Sequence, residues 1–261
     1  MATQRFKRWV ALATLLLVNQ PFGSQAQELD TVADALIWMS SADHGSDYTS
    51  SLFLPYLHRA FGLDYDTELI ERAREEASGD LLPFFRMVDD QVSSTQEQID
   101  VTDRFGWPLL AALYCDRFGL PDDFLNRVEA QSGGTPYELS HASLGLDWAI
   151  EMRCLQSEEV APTISTQNEA LVSVVEQLGF SSEATLEAIA ILLHRGQRTL
   201  VDPEWVDTIR SQQHDNGGWG YGEGGSNLHA TVLALWVLLE YDHPDAPPTP
   251  MVAPAIGRPT E

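Results

Sequence analysis

His141 and His229 occupy equivalent places in two similar stretches, His141-Ala142-Ser143 running to Trp148 and His229-Ala230-Thr231 running to Trp236. In each, a small hydroxyl side chain follows the histidine by two residues and a tryptophan follows it by seven. The hydroxyl recurs as Thr49, Thr102 and Thr185, and two residues before these lie Asp47, Asp100 and Glu183. One position of a repeating register is therefore ionisable every time. Carboxylates near a helix start accept backbone N–H groups and complement the positive end of the helix dipole. Capping of this kind accounts for Asp47, Asp100 and Glu183. It accounts poorly for the histidines, because an imidazolium at a helix N-terminus is unfavourable. His141 and His229 are expected to be neutral, to trade single hydrogen bonds, and to titrate near neutral pH if they rim a cavity. The candidate cavity rim comprises His141, His229, Asp100, Asp103, Trp107, Trp219 and Tyr221. Trp148 and Trp236 join Trp107 as apolar and stacking surface if they point inward.

These residues need helices to hold them. Apolar spacing of three and four residues predicts helices over 28–40, 49–61, 66–77, 103–118, 122–130, 166–178, 184–195, 204–213 and 229–241, with no convincing strand. The register hydroxyls at 49, 102, 143, 185 and 231 are separated by 53, 41, 42 and 46 residues, each enough for one helical hairpin. The hydroxyl-headed segments, such as "HATVLALWVLLE", are apolar nearly all round. Their partners, such as "DTELIERAREEA", carry one charged face. The first kind belongs inside and the second outside. The expected fold is all-α, an α/α toroid of about five helical hairpins. The glycines of "QQHDNGGWGYG", residues 212–222, suit a tight return from an outer to an inner helix, with Trp219 folded over the helix ends as a clamp.

That same stretch resembles the Gln-Trp turn repeat of the terpenoid cyclase and protein prenyltransferase superfamily, through Gln212, Asp215, Gly217, Gly218, Trp219 and Gly220. "NLHATVLAL" resembles the inner-helix start of prenyltransferase β-subunit repeats, and "HGSDYTSSL" at 44–52 is a looser version. The resemblance implies an α/α toroid and is specific over 205–241. It does not bring the chemistry with it. Asp100-Val101-Thr102-Asp103 is similar to the Asp-x-Asp-Asp of class II cyclases but has threonine in place of the central acid. Prenyltransferases hold zinc with Asp, Cys and His. His229 could serve as the histidine, but no Asp-x-Cys occurs in this sequence, so neither zinc nor any other metal or cofactor is expected. No Gly-x-Ser-x-Gly elbow, His-Glu-x-x-His or phosphate loop is present.

Residues 1–26 read as a secretory signal: Arg5, Lys7 and Arg8, then an apolar run from Trp9 to Val18, then small residues at Ser24-Gln25-Ala26. The run is too short to span a bilayer, so the mature chain is expected to be exported, periplasmic or secreted, and not integral to a membrane. The 261 residues carry 15 basic and 39 acidic groups, a formal charge of −24. Losing the three cations of the signal leaves −27, with no lysine after Lys7. Such a surface repels nucleic acid and anionic lipid. Cys115 and Cys154, the only cysteines, are expected close together, and whether they form a disulfide is left open. The domain plan is then a signal at 1–26, the toroid at 27–241, and a disordered tail at 242–261 with its six prolines.

Three functions fit this plan. The first is binding, with or without transformation, of an apolar isoprenoid- or lipid-like small molecule in a central cavity. The second is a glycan-acting protein such as a polysaccharide lyase, using His141 or His229 with a neighbouring Arg or Tyr. The third is a non-catalytic interaction module of the cell envelope. A deep dry cavity favours the first, a long groove rimmed by aromatics and Arg the second, and a filled barrel the third.

Overall fold

The computed structural model describes residues 22–41, 48–77, 79–103, 105–221 and 225–252, all of them helix, turn or irregular chain without a strand. Most of the expected signal segment, residues 1–21, lies outside the described residues. In chain order come α1 (Phe22–Ser41), a 3-10 segment (Tyr48–Phe53) continuing into α2 (Leu54–Phe61), and α3 (Glu68–Glu76). A second 3-10 segment (Leu82–Met87) precedes α4 (Gln96–Asp100), α5 (Trp107–Leu113), α6 (Cys115–Phe118) and α7 (Phe124–Ser132). Then follow α8 (Pro136–Glu151), α9 (Ser157–Leu178), α10 (Glu183–His194), α11 (Pro203–Ser211) and α12 (Leu228–Asp242).

Burial divides these helices as their composition predicts. Every residue of α10 from Ala184 to Leu193 is buried, as is every residue of α12 from Ala230 to Leu239. In contrast α3 buries only Leu69, Ile70 and Ala73, α7 only Phe124 and Val128, and α11 only Val206 and Ile209. The buried helices pack in sequence, α5 on α8, α8 on α10, α10 on α12, and α12 on the first 3-10 segment and α2. Their one-faced partners lie against them, α7 on α8, α9 on α8 and α10, and α11 on α12.

Two levels of side-chain contact show that α8, α10 and α12 run parallel. Ser140, Glu187 and His229 meet at one level, one from each helix. Glu151, His194 and Glu240 meet at another, seven to eleven residues further along each chain. At about 1.5 Å per residue the levels are roughly 10–16 Å apart. A buried ion pair stiffens the packing between them. The Arg195 guanidinium donates through Nε to both Asp147 oxygens at 2.9 Å and through its other nitrogens to Asn168, Gln167 and the Ser143 carbonyl.

The glycine turn before α12 works as a clamp. Gly217 has φ +92°, a left-handed conformation, and a β-carbon there would overlap the Asp34 carbonyl of α1. The Trp219 indole is buried and donates to the Ile209 carbonyl at 2.8 Å. Its backbone N–H donates to Thr231 Oγ1 at 3.0 Å, and its carbonyl accepts from Asn227 N–H at 2.8 Å. The hydroxyl at position 231 thus stitches turn to helix.

Three features depart from expectation. The single helix expected over 103–118 breaks at Tyr114 into α5 and α6. There the phenol donates to the Pro83 carbonyl at 3.0 Å and the ring lies under Arg86, itself paired with Asp116 at 2.7 Å. Helix α9 starts at Ser157, nine residues before the expected 166, with Pro162 in its second turn. The proline-rich stretch, expected to be disordered over 242–261, is packed through Val252. Met251 and Val252 are buried, their N–H groups donate to the two Glu151 oxygens at 3.1 Å, and Arg59 donates to the carbonyls of Pro250 and Met251. Proline bars this segment from helix but leaves it able to strap across the other elements. Residues 253–261 lie outside the described residues. Cys115 and Cys154 are close, as expected, with Cα atoms 6.2 Å apart, and are joined as a disulfide tying α6 to the segment after α8.

Candidate functional site

The N-terminal parts of the buried helices and the 3-10 segments Tyr48–Phe53 and Leu82–Met87 line a cavity of about 490 Å³. Three helices present one face each to it. On α8 the lining residues are Tyr137, His141, Leu144 and Trp148, on α10 Glu183 and Glu187, and on α12 His229, Leu233 and Trp236. Spacings of three, four and seven keep these side chains on one stripe. Because the helices enter from the same end, their order matches: polar residues first, apolar residues a turn or two deeper. The floor is formed by Trp148 and Trp236, with Phe53 stacked on Trp236 at 5.5 Å between ring centroids, and Phe84, Met87 and Leu109 complete the apolar wall. No lysine or arginine is among the described residues that line it.

A hydrogen-bonded chain crosses the polar end. Ser50 Oγ lies 2.9 Å from His229 Nδ1, and His229 Nε2 lies 3.3 Å from Glu187 Oε1. The other Glu187 oxygen accepts from the Ser140 hydroxyl. Glu183 stands behind, 3.9 Å from His229 Nε2, and accepts from the Asn227 amide at 3.0 Å. Glu187 is almost fully buried, its side chain 4% exposed, whereas His229 keeps 21%. A carboxylate in hydrogen-bond reach of Nε2 favours the tautomer with the proton on that nitrogen, leaving the Nδ1 lone pair to accept from Ser50. His141 takes the opposite tautomer. Its Nδ1 lies 3.0 Å from the Phe105 carbonyl, which can only accept, so Nε2 is left as an acceptor beside Tyr137.

The caps of the three helices are other residues. Thr135 caps α8 through a capping box with Glu138, Ser182 caps α10, and Asn227 caps α12 by accepting the Ala230 N–H at 2.7 Å. His141, Glu183 and His229 are therefore not held at their places by capping. The structure brings these three into one cavity. Asp47, their counterpart in the first repeat, lies outside the described residues. Asp100 and Asp103 are not brought in. Asp100 is exposed and accepts from the Gln96 side chain, while Asp103 accepts the N–H groups of Phe105 and Gly106 and shapes the turn into α5.

The aromatic candidates also divide. Trp148 and Trp236 face the cavity, but Trp107 points the other way, onto Phe124 and Arg127 of the covering α7. Trp219 is spent in the turn. Tyr221 lines a separate shallow hollow with Phe180, His214 and Asp215, and burial followed by the Glu183 charge raises its phenol above the usual range. Sequence reasoning missed Ser50, Ser140, Glu187 and Asn227. Glu187 was the most accessible of these, since it lies one turn after Glu183 on the same helix face.

A second hollow of about 570 Å³ lies at the opposite end, between Tyr56, His194, Arg198, Glu240 and prolines 244–250. His194 sits between two carboxylates, with Nδ1 3.2 Å from Glu240 and Nε2 3.3 Å from Glu151. Burial alone would lower its pKa, but hydrogen bonds to Glu151 and Glu240 outweigh it and raise the value to about 9. Burial likewise pushes Glu240 upward, and hydrogen bonds from His194 and Tyr56 overcome that and hold its pKa below the usual value. Among the described residues no group of His, Cys, Asp and Glu could hold a metal ion, and no helix is long and apolar enough to cross a membrane.

Comparison with protein-family models, with curated proteins and with solved structures finds no match to this chain.

Proposed function

We propose that the buried helices close as the inner ring of an α/α toroid, and that its central cavity binds an apolar isoprenoid- or lipid-like molecule with an uncharged polar head. The observation that carries this reading is the graded wall. The cavity is hydrocarbon and indole at the Trp148–Trp236 floor and polar at the His141–Glu187–His229 end. A volume of about 490 Å³ falls within the range of small-molecule sites. The head carries no negative charge, because Glu183 and Glu187 stand at the polar end, no lysine or arginine is among the described residues that line the cavity, and the chain as a whole carries −24. A diphosphate or a free carboxylate would be repelled there by Glu183 and Glu187. The lack of arginine among the described lining residues speaks against the lyase reading, and the open volume against a filled interaction module. Export fits with this function. The chain begins with a signal-like segment, and its two cysteines pair with each other, as cysteines do in oxidising compartments.

The test is titration of the purified chain with N-phenyl-1-naphthylamine, a neutral apolar fluorophore, followed by displacement with farnesol and with hexadecanol. Saturable binding is expected, and Leu233→Trp, which puts an indole into the middle of the cavity, should weaken it at least about tenfold while the protein still melts cooperatively. Equal binding by that variant would overturn the assignment of the cavity.

A further inference from the structure

We propose that Ser50, His229 and Glu187 form a nucleophilic relay that cleaves uncharged carboxylic esters with hydrocarbon acyl chains. The proposal rests on the preceding reading of the cavity and adds a reaction to it. Three residues from separate elements converge: Ser50 from the first 3-10 segment, Glu187 from α10 and His229 from α12, the first and last 179 positions apart. The order is hydroxyl, imidazole, carboxylate, with contacts of 2.9 and 3.3 Å, which is the arrangement that activates a serine. The ring is used with Nδ1 toward the serine and Nε2 toward the acid. Either nitrogen can serve as base provided the other donates to the carboxylate. Helix capping does not explain the histidine, since Asn227 already caps α12. Glu187 is buried and also accepts from Ser140, which fixes the orientation of its carboxyl group. All three residues line the cavity where the apolar wall begins, so an acyl chain lying over Leu233 toward Trp236 places its carbonyl beside Ser50.

The chemistry balances with water alone. Ser50 Oγ attacks the ester carbonyl and its proton passes to His229 Nδ1. The tetrahedral adduct collapses, the bond to the alcohol oxygen breaks, and His229 returns that proton to the leaving alcohol. Water then attacks the acyl-Ser50 with His229 as base, the bond to Oγ breaks, and Ser50 regains its proton as the carboxylic acid departs. Glu187 is a positioning residue: it fixes the tautomer and stabilises the imidazolium formed in each half. The product acid is negatively charged and faces Glu183 and Glu187, which favours its release.

The full chain is treated with a neutral long-chain alkyl fluorophosphonate, and the adduct is mapped by mass spectrometry. One adduct on Ser50 is expected, together with turnover of p-nitrophenyl esters that rises from acetate to decanoate. Ser50→Ala should lower turnover at least about 1,000-fold, and Glu187→Gln should lower kcat and move the pH profile, which a purely structural loss would not do. Should Ser50→Ala fail to fold, the adduct map on the unaltered chain still decides. No adduct on Ser50 under conditions where N-phenyl-1-naphthylamine binds would overturn the relay and leave the cavity reading standing. Failure of the fluorophore to bind would instead overturn the cavity reading itself.

Discussion

Replacing His194 by Gln should remove a charge that the fold stabilises, and the effect should depend on pH in a defined direction. In the folded chain the imidazolium sits between Glu151 and Glu240, its side chain only 15% exposed, with a pKa raised from 6.5 to about 9. A group whose folded pKa is raised contributes stability that is complete below the unfolded value and lost as pH climbs through the folded one. The window is therefore pH 6.5 to about 9. At roughly 1.4 kcal/mol per pKa unit, the contribution at pH 6 is on the order of 3 kcal/mol. For a chain of this size that corresponds to about 6–12 °C in melting temperature. Thermal unfolding followed by circular dichroism at pH 6, 7.5, 9 and 10 measures it. The gap between the parent and His194→Gln should be widest at pH 6 and should shrink by about 3 kcal/mol at pH 10. Tyr56, which donates to Glu240, does not confuse the window, because burial raises its pKa far above the usual range. A gap of the same size at pH 6 and pH 10 would refute the charged imidazolium and with it the reading of this cluster.

Two further outcomes test the packing. Arg195→Met leaves Asp147, Asn168 and Gln167 buried without their cation, and should cost about 3–5 kcal/mol in denaturant unfolding, whereas a surface arginine such as Arg72 should cost about 1 kcal/mol or less when replaced. Opening the Cys115–Cys154 bridge, which spans 39 residues, should cost about 4 kcal/mol by loop entropy, read as a lower guanidinium midpoint for the Cys115→Ser, Cys154→Ser double variant.

The all-helical character was legible in the sequence because apolar periodicity reports it locally. The uniformly apolar stretches at 184–195 and 229–241 lie within one residue of α10 and α12. The glycine turn was legible for a similar reason, since conformational freedom at Gly217 and a large indole at Trp219 leave few alternatives. Breaks in pattern set by distant partners were not legible. Nothing near Tyr114 says that Pro83 and Arg86 will stop the helix there. Nothing within the proline-rich tail says that Glu151 will hold its N–H groups.

The site divides along the same line. The register alone picked out His141, Glu183 and His229, because a repeat puts equivalent residues on equivalent turns, and parallel helices then carry them to one level. It also picked out Asp100, and the likeness of residues 100–103 to Asp-x-Asp-Asp added Asp103, but both sit in an exposed segment before α5, outside the cavity. Periodicity says which face of a helix is buried, not which neighbour that face meets, so Trp107 turned toward α7 while Trp148 and Trp236 turned inward. Ser50 carries no local mark at all. Its place against His229 follows from packing between segments 179 residues apart, and such proximity is a property of the folded chain alone.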